Sequence, residues 1–156
     1  MDIRRLDWSL LQSFLRVAAE CEVARTLAGE RGGSALTTAR GLLRMQEALV
    51  GDVAQIDLFR QLDDAFHECL FEGVGQLGLY RHIRSRSGNL ARVRTLDLPS
   101  DGKMRAVLDA HAEVRKALDA GDSLAAADAM RRHLSGTVER LAAIHDAHQA
   151  LFSRGG

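Results

Sequence analysis

Asp63 and His67 stand four residues apart in the otherwise apolar stretch 62-LDDAFHECLF-71. On a helix this spacing places both side chains on the same face, one turn apart. The apolar stripe that must face the core includes Phe59, Phe66 and Leu70, so Asp63 falls within a surface that is expected to be buried. A buried carboxylate is costly unless a cation or hydrogen-bond donors compensate it. The pair therefore indicates either half of a metal site or a surface Asp–His hydrogen bond, the commoner role of such a pair.

Two further histidines flank a short turn in the last third of the chain. Gly121-Asp122 is too short a link for anything but an antiparallel helical hairpin. His111 lies ten residues before Gly121, and His133 lies eleven residues after Asp122. At ~1.5 Å per residue, both imidazoles lie roughly 15 Å from the turn, at the same height on neighbouring helices.

Three imidazoles and one carboxylate form a nitrogen and oxygen ligand set that suits Zn²⁺, Ni²⁺, Mn²⁺ or Fe²⁺ better than Ca²⁺. The alternative stays open, because a single histidine on an apolar stripe is usually a hydrogen-bonded core residue. What favours a metal is coincidence: a buried carboxylate needs compensation, and three histidines at meeting heights offer it. The candidate ligands are Asp63, His67, His111 and His133.

The elements that must position these residues are all helical. The chain is rich in Ala and Leu, has one proline and shows no strand-like alternation. Glycines and capping residues predict helices over about 7–31, 35–49, 53–72, 79–96, 103–120 and 122–152. Asp122 is predicted to cap the last helix. Residues 1–156 are expected to form one domain.

Composition excludes several classes of protein. The 21 basic and 21 acidic residues balance, so no global field marks a nucleic-acid binder. The arginines between residues 81 and 94 are interpreted as a solvated face or a subunit contact. No apolar run reaches the ~20 residues of a membrane helix, and the N-terminus lacks the apolar region of a signal peptide. Cys21 and Cys69 are interpreted as buried free thiols, which suit a reducing cytoplasm.

At this point three stretches resemble one family. They are 13-SFLRVAAECEVARTLAGERG-32, 63-DDAFHECLF-71 and 111-HAEVRKALDAGDSLAAADAMRRHL-134. Together they resemble the ligand-binding FCD domain of the FadR-like branch of GntR transcriptional regulators. The Ala-Met-Arg-x-His-Leu run around His133 is the strongest signal, and Arg16 and Glu20 match the Arg-x-x-x-Glu of the family's first helix.

The resemblance implies an all-α fold, an antiparallel bundle of six to seven helices around a central metal and effector cavity. It implies a divalent metal held by the four candidate ligands, an organic-acid or sugar-acid effector, and a cytoplasmic homodimer. Arg16 is the candidate partner of the effector carboxylate, with a surface salt bridge to Glu20 as the equal alternative.

The family's winged-helix DNA-binding domain is not found in this sequence, although residues 1–6 resemble the end of the interdomain linker. The chain is therefore expected to be a sensor, either part of a longer protein or free-standing, that affects DNA only through that domain. It is not expected to be an enzyme. Two rivals remain: a metal-dependent hydrolase, and a helical interaction module without metal.

Overall fold

The computed structural model of the chain describes residues 3–30, 33–86, 98–99 and 102–147. Within these residues it contains six α-helices, one 3₁₀ turn and no strand. The helices are α1 (Ile3–Gly29), α2 (Gly33–Leu49), α3 (Ile56–Gly73), α4 (Leu77–Ser85), α5 (Lys103–Asp119) and α6 (Ser123–Ala147). The all-α prediction is confirmed.

Most predicted helix bounds agree with the structure within a few residues. α1 begins at Ile3, four residues before its predicted start at residue 7. Before α3, Val53–Gln55 form a 3₁₀ turn, and the α-helix begins only at Ile56. Asp52 caps that turn, because its Oδ1 accepts a hydrogen bond of 3.2 Å from the amide of Ala54. α4 ends at Ser85, and the predicted continuation over 87–96 lies outside the described residues, as does the predicted end of the last helix after residue 147.

The helices pack as antiparallel neighbours. α1 lies along α6, α2 along α3, and α5 along α6, while α2 also touches α5. Large, fully buried apolar side chains join these helices into a main core: Leu27, Phe66, Leu70, Phe71, Leu118, Met130 and Leu134. Phe59 is also fully buried and belongs to a second, smaller cluster with Leu98 and Met104. None of the helices that the structure describes has the length and apolar character that crossing a membrane requires.

The turn between α5 and α6 fixes how these two helices face each other. Gly121 has a φ of 67°, a left-handed conformation that glycine adopts without steric cost. Its amide donates to the carbonyl of Leu118, and the amide of Asp122 donates to the carbonyl of Ala117, both at 3.1 Å. This pair of bonds is a Schellman motif, which satisfies carbonyls at the end of α5. Asp122 then accepts a bond of 3.0 Å from the amide of Ala125, so the predicted cap of the last helix is observed.

The end of α3 approaches α1 and α2 closely at Gly73. A β-carbon at this position would lie 2.7 Å from the Cβ of Ala35 and 3.0 Å from a methyl group of Leu27. Only glycine fits there without movement of a neighbouring helix. This contact anchors the helix that carries Asp63 and His67.

Candidate metal centre

The structure brings the four candidate ligands together inside the bundle. All four side chains are buried, and one donor atom from each lies within 4.8 Å of the others. We name this group, Asp63, His67, His111 and His133, the Asp–His cluster. α3 contributes two of its members, and α5 and α6 contribute one each.

The three imidazoles direct their Nε2 atoms into the centre of the cluster. Nε2 of His111 lies 3.0 Å from Oδ1 of Asp63 and 3.2 Å from Nε2 of His133. Nε2 of His67 lies 3.5 Å from the same carboxylate oxygen and 3.4 Å from Nε2 of His133. The equal heights predicted for His111 and His133 are therefore realised across the hairpin.

These separations test whether a cation fits. Four ligands at ~2.0–2.1 Å from a tetrahedral Zn²⁺ ion stand about 3.3 Å from one another. Of the six separations within the cluster, the four given above, 3.0 to 3.5 Å, surround that value, and all six lie within 4.8 Å. Three Nε2 atoms and a carboxylate oxygen are also the donors that Zn²⁺, Ni²⁺, Mn²⁺ and Fe²⁺ accept. The donor set and its spacing thus fit a divalent transition metal.

The outer nitrogens of two imidazoles are held by polar side chains from other helices. Nδ1 of His67 lies 2.5 Å from Oε2 of Glu20 on α1, and both side chains are buried. Nδ1 of His111 lies 3.2 Å from Oε1 of Gln46 on α2, which is fully buried. The amide nitrogen of Gln46 in turn donates to the carbonyl of Phe59 at 3.4 Å. Each ring is therefore oriented by a contact on the side away from the cluster.

Aromatic packing adds to this orientation. The ring of Phe66 stacks on that of His111, with centroids 4.3 Å apart and planes 16° from parallel. His67 and His133 are nearly parallel at 5.4 Å, whereas His111 meets both of them edge-on. The predicted stripe of α3 thus supplies the candidate ligands Asp63 and His67 and the apolar wall beside them.

The electrostatics of the cluster differ from ring to ring. Burial lowers the pKa of His67, but the carboxylates of Glu20 and Asp63 outweigh burial and raise it overall. Burial lowers the pKa of His133 well below its usual value, and the neighbouring imidazoles of His111 and His67 lower it further. His133 is consequently a neutral ring, the form in which histidine binds metals.

Glu20 remains ionised in spite of its burial. Burial opposes its charge, but the charges of His67 and Arg16 and hydrogen bonds from both lower the pKa of Glu20 overall. A carboxylate that keeps its charge in the interior needs such partners.

Arg16 lies on α1, as Glu20 does, and contacts Glu20 rather than the cluster itself. Its Nε donates to Oε1 of Glu20 at 2.9 Å, and its side chain is 12% exposed. The salt bridge that was the alternative to an effector contact is therefore present, although it is largely buried rather than on the surface. Arg16, Glu20 and His67 form a continuous line from the edge of α1 to the cluster.

Two residues at the centre were not predicted as site residues, Glu20 and Gln46. Gln46 could have been recognised, because it continues the buried stripe Leu36, Ala39 and Leu43 of α2 and is polar. Glu20 offered only its spacing from Arg16, which an exposed ion pair explains equally well.

Comparison with known proteins gives one result that covers most of the chain. The family model described as FCD domain matches residues 13–136. That range includes Arg16, Glu20, Gln46 and the whole Asp–His cluster. No curated protein matches the chain.

Proposed function

The chain belongs to the FCD domain family, which comprises effector-sensing regulatory domains of GntR transcription regulators, and from this premise we propose that it senses a small organic acid through a divalent metal ion. The observation that carries the proposal is the buried convergence of the Asp–His cluster. When bound there, the metal would supply a positive centre that attracts a carboxylate oxygen.

The charges of the interior favour an anionic effector. Among the residues that the structure describes, Glu20 and Asp63 are the buried carboxylates. A divalent ion and Arg16 together carry three positive charges against the two negative charges of these carboxylates, when the imidazoles are neutral. One further carboxylate would neutralise the remaining charge, and burial of net charge is unfavourable. This balance supports an organic or sugar acid.

The position of the ligands suggests how occupancy is transmitted. The cluster joins α3, α5 and α6, so these three helices share its geometry. An effector that binds one arrangement of them better than another shifts the population toward that arrangement. We propose that this shift changes how winged-helix DNA-binding domains are presented in a cytoplasmic homodimer.

A hydrolytic role receives less support. Asp64, the carboxylate next to Asp63, forms a two-pronged ion pair with Arg84 of α4. Glu20 uses one oxygen for His67 and the other for Arg16. The contacts of both carboxylates favour structural roles over that of a general base beside a metal-bound water.

Metal binding is tested by calorimetric titration of the metal-free protein with Zn²⁺, Ni²⁺ and Mn²⁺. We expect one ion per chain, and we expect His111→Ala to lose at least tenfold in affinity. His82→Ala removes an exposed histidine and serves as the matched control. Equal affinity of the wild type and His111→Ala would contradict the proposed site.

Effector binding is tested by thermal unfolding with a panel of organic acids, with and without chelator. An acid at a hundred times its dissociation constant should add ~2.7 kcal/mol to the free energy of unfolding. We expect this gain only when metal is present. An acid that stabilises the chelated protein equally would argue against recognition through the metal.

A further inference from the structure

The buried carboxylate of Glu20 is placed to act on the metal centre through His67. It lies on α1, 47 residues from His67 in sequence, and approaches the ring from the side opposite the cluster. Glu20 is 3% exposed and His67 is 2% exposed, so water does not compete for their contact. Nδ1 of His67 and Oε2 of Glu20 are 2.5 Å apart, which is within hydrogen-bond distance.

We propose that Glu20 is a positioning residue, which holds the proton on Nδ1 of His67 and thereby presents the Nε2 lone pair to the metal. This inference rests on the proposed metal-sensing function. An ionised carboxylate can only accept hydrogen bonds, so its partner nitrogen must be the one that carries hydrogen. The other nitrogen, Nε2, is then the ligand atom, and it is the atom that faces Asp63 and His133.

The two supported imidazoles allow an internal comparison. Nδ1 of His111 contacts the neutral amide oxygen of Gln46 at 3.2 Å. Nδ1 of His67 contacts a carboxylate oxygen of Glu20 at 2.5 Å. Hydrogen bonds to ionised acceptors are roughly twice as strong as neutral ones, and a carboxylate behind a histidine raises its basicity as a ligand. His67 is therefore the more strongly donating of the two rings.

Arg16 completes the arrangement by fixing Glu20 itself. It occupies Oε1 of the carboxylate and leaves Oε2 for His67. Both oxygens are thus engaged, and the carboxylate cannot rotate without loss of one contact. In this reading Arg16 affects the metal through Glu20, which differs from direct binding of an effector.

The test measures the dissociation constant of Zn²⁺ by competition with a chromogenic chelator in the wild type, Glu20→Gln and Glu22→Gln. Glu22 lies on the same helix but forms an exposed pair with Arg25, so its substitution is the matched control. We expect Glu20→Gln to weaken Zn²⁺ binding by 10- to 100-fold, the usual effect of removing such a partner. Glu22→Gln should leave affinity unchanged.

The visible absorption spectrum of bound Co²⁺ gives a readout that a structural role alone would not move. We expect Glu20→Gln to shift this spectrum, and Glu22→Gln to reproduce the wild type. If Glu20→Gln does not fold, Glu20→Asp retains the charge but shortens the reach to Nδ1, and the same loss of affinity is expected. Wild-type affinity in whichever Glu20 variant folds overturns the positioning role alone, whereas absence of metal binding by the wild type overturns the proposed function with it.

The same Zn²⁺ titration tests whether Arg16 acts through Glu20. We expect Arg16→Gln to weaken Zn²⁺ binding in the same direction as Glu20→Gln, by a smaller factor. Unchanged Zn²⁺ affinity, with loss of the stabilisation by organic acids, would overturn the role of Arg16 through Glu20 and leave it as an effector contact.

Discussion

At the scale of single residues, the interior of the bundle holds polar side chains that interrupt the apolar stripes of its helices. Asp63 and His111 each lie in such a stripe, and both are buried in the Asp–His cluster. Asp63 could be paired with His67, and His111 with His133, because helix geometry relates residues along one helix or across one short turn. The convergence of the two pairs was inferred from the cost of a buried carboxylate and from the family resemblance. The contact of Glu20 with His67 could not be predicted, because it depends on how α1 packs against α3. No spacing rule relates residues on helices that are separated in this way.

Burial also changes the pKa of Cys69, a residue outside the cluster. Cys69 packs in the core, donates to the carbonyl of Phe66 at 3.1 Å, and has its pKa raised by burial to about 12. In the unfolded chain the thiol ionises near its ordinary pKa of 9.0. Folding therefore holds a proton that the unfolded chain releases, so stability is full below pH 9 and is lost as pH rises toward 12.

We predict that Cys69 lowers the free energy of unfolding by about 1.4 kcal/mol between pH 8 and pH 10. Urea titrations at the two pH values measure this difference. Cys69→Ala should show a pH dependence smaller by that amount, whatever its stability at pH 8. A variant with the same pH dependence as the wild type would show that the thiol is not the source.

At the scale of elements, the structure confirms in detail the turn that was predicted between α5 and α6. The sequence indicated a hairpin at Gly121-Asp122, and the structure adds the Schellman bonds and the cap. The start of α3 was less predictable. The sequence 53-VAQ-55 is compatible with both kinds of helix, and the cap at Asp52 closes a tighter turn that propensity alone does not distinguish.

Loss of the cap of α6 should be measurable. We predict that Asp122→Ala lowers the free energy of unfolding by about 1 kcal/mol, because the amide of Ala125 loses its acceptor. Asp122→Asn keeps an acceptor oxygen and should cost only a few tenths of a kcal/mol. Chemical denaturation of the three proteins at neutral pH measures both changes. Equal losses in the two variants would contradict a capping role.

The close approach of helices at Gly73 predicts the opposite of the usual effect of alanine. Within a helix, Gly→Ala normally stabilises by roughly 0.5–1 kcal/mol. At Gly73 the added methyl group would meet Ala35 at 2.7 Å, so we predict a net loss of about 1–3 kcal/mol.

Gly41 in α2 is the matched control, since only the end of the flexible Arg44 side chain comes as near as 4.0 Å to an added β-carbon. Gly41→Ala should follow the usual rule and raise the free energy of unfolding. Thermal or urea unfolding of both variants measures the contrast. A stabilising Gly73→Ala would mean that α3 can withdraw from α1 and α2 without cost.

At the scale of the whole molecule, the helical class followed from composition, and the bundle arrangement followed from the family resemblance rather than from periodicity. Hydrophobic stripes specify which face of a helix is buried, but several helices can cover the same face. The pairing of α1 with α6 joins the first and last helices of the described chain. Such pairing reflects the combined packing of all six helices.

The proposed metal should stabilise the whole fold. We predict that Zn²⁺ at a hundred times its dissociation constant adds about 2.7 kcal/mol to the free energy of unfolding, because the unfolded chain does not hold the cluster together. His111→Ala should show no comparable gain. Urea denaturation with Zn²⁺ and with chelator measures the difference, and a gain of equal size in His111→Ala would place the binding elsewhere.

The sequence separation of the cluster residues affects how the chain unfolds. His67 and His133 meet although they are 66 residues apart in the sequence, and the loop between them contains α4 and α5. An ion bound by both His67 and His133 would act as a reversible cross-link. Like a disulfide, it would reduce the conformational entropy of the unfolded chain. Unlike a disulfide, it could be withdrawn by a chelator under native conditions. The local supply of metal would then set how readily this half of the bundle separates.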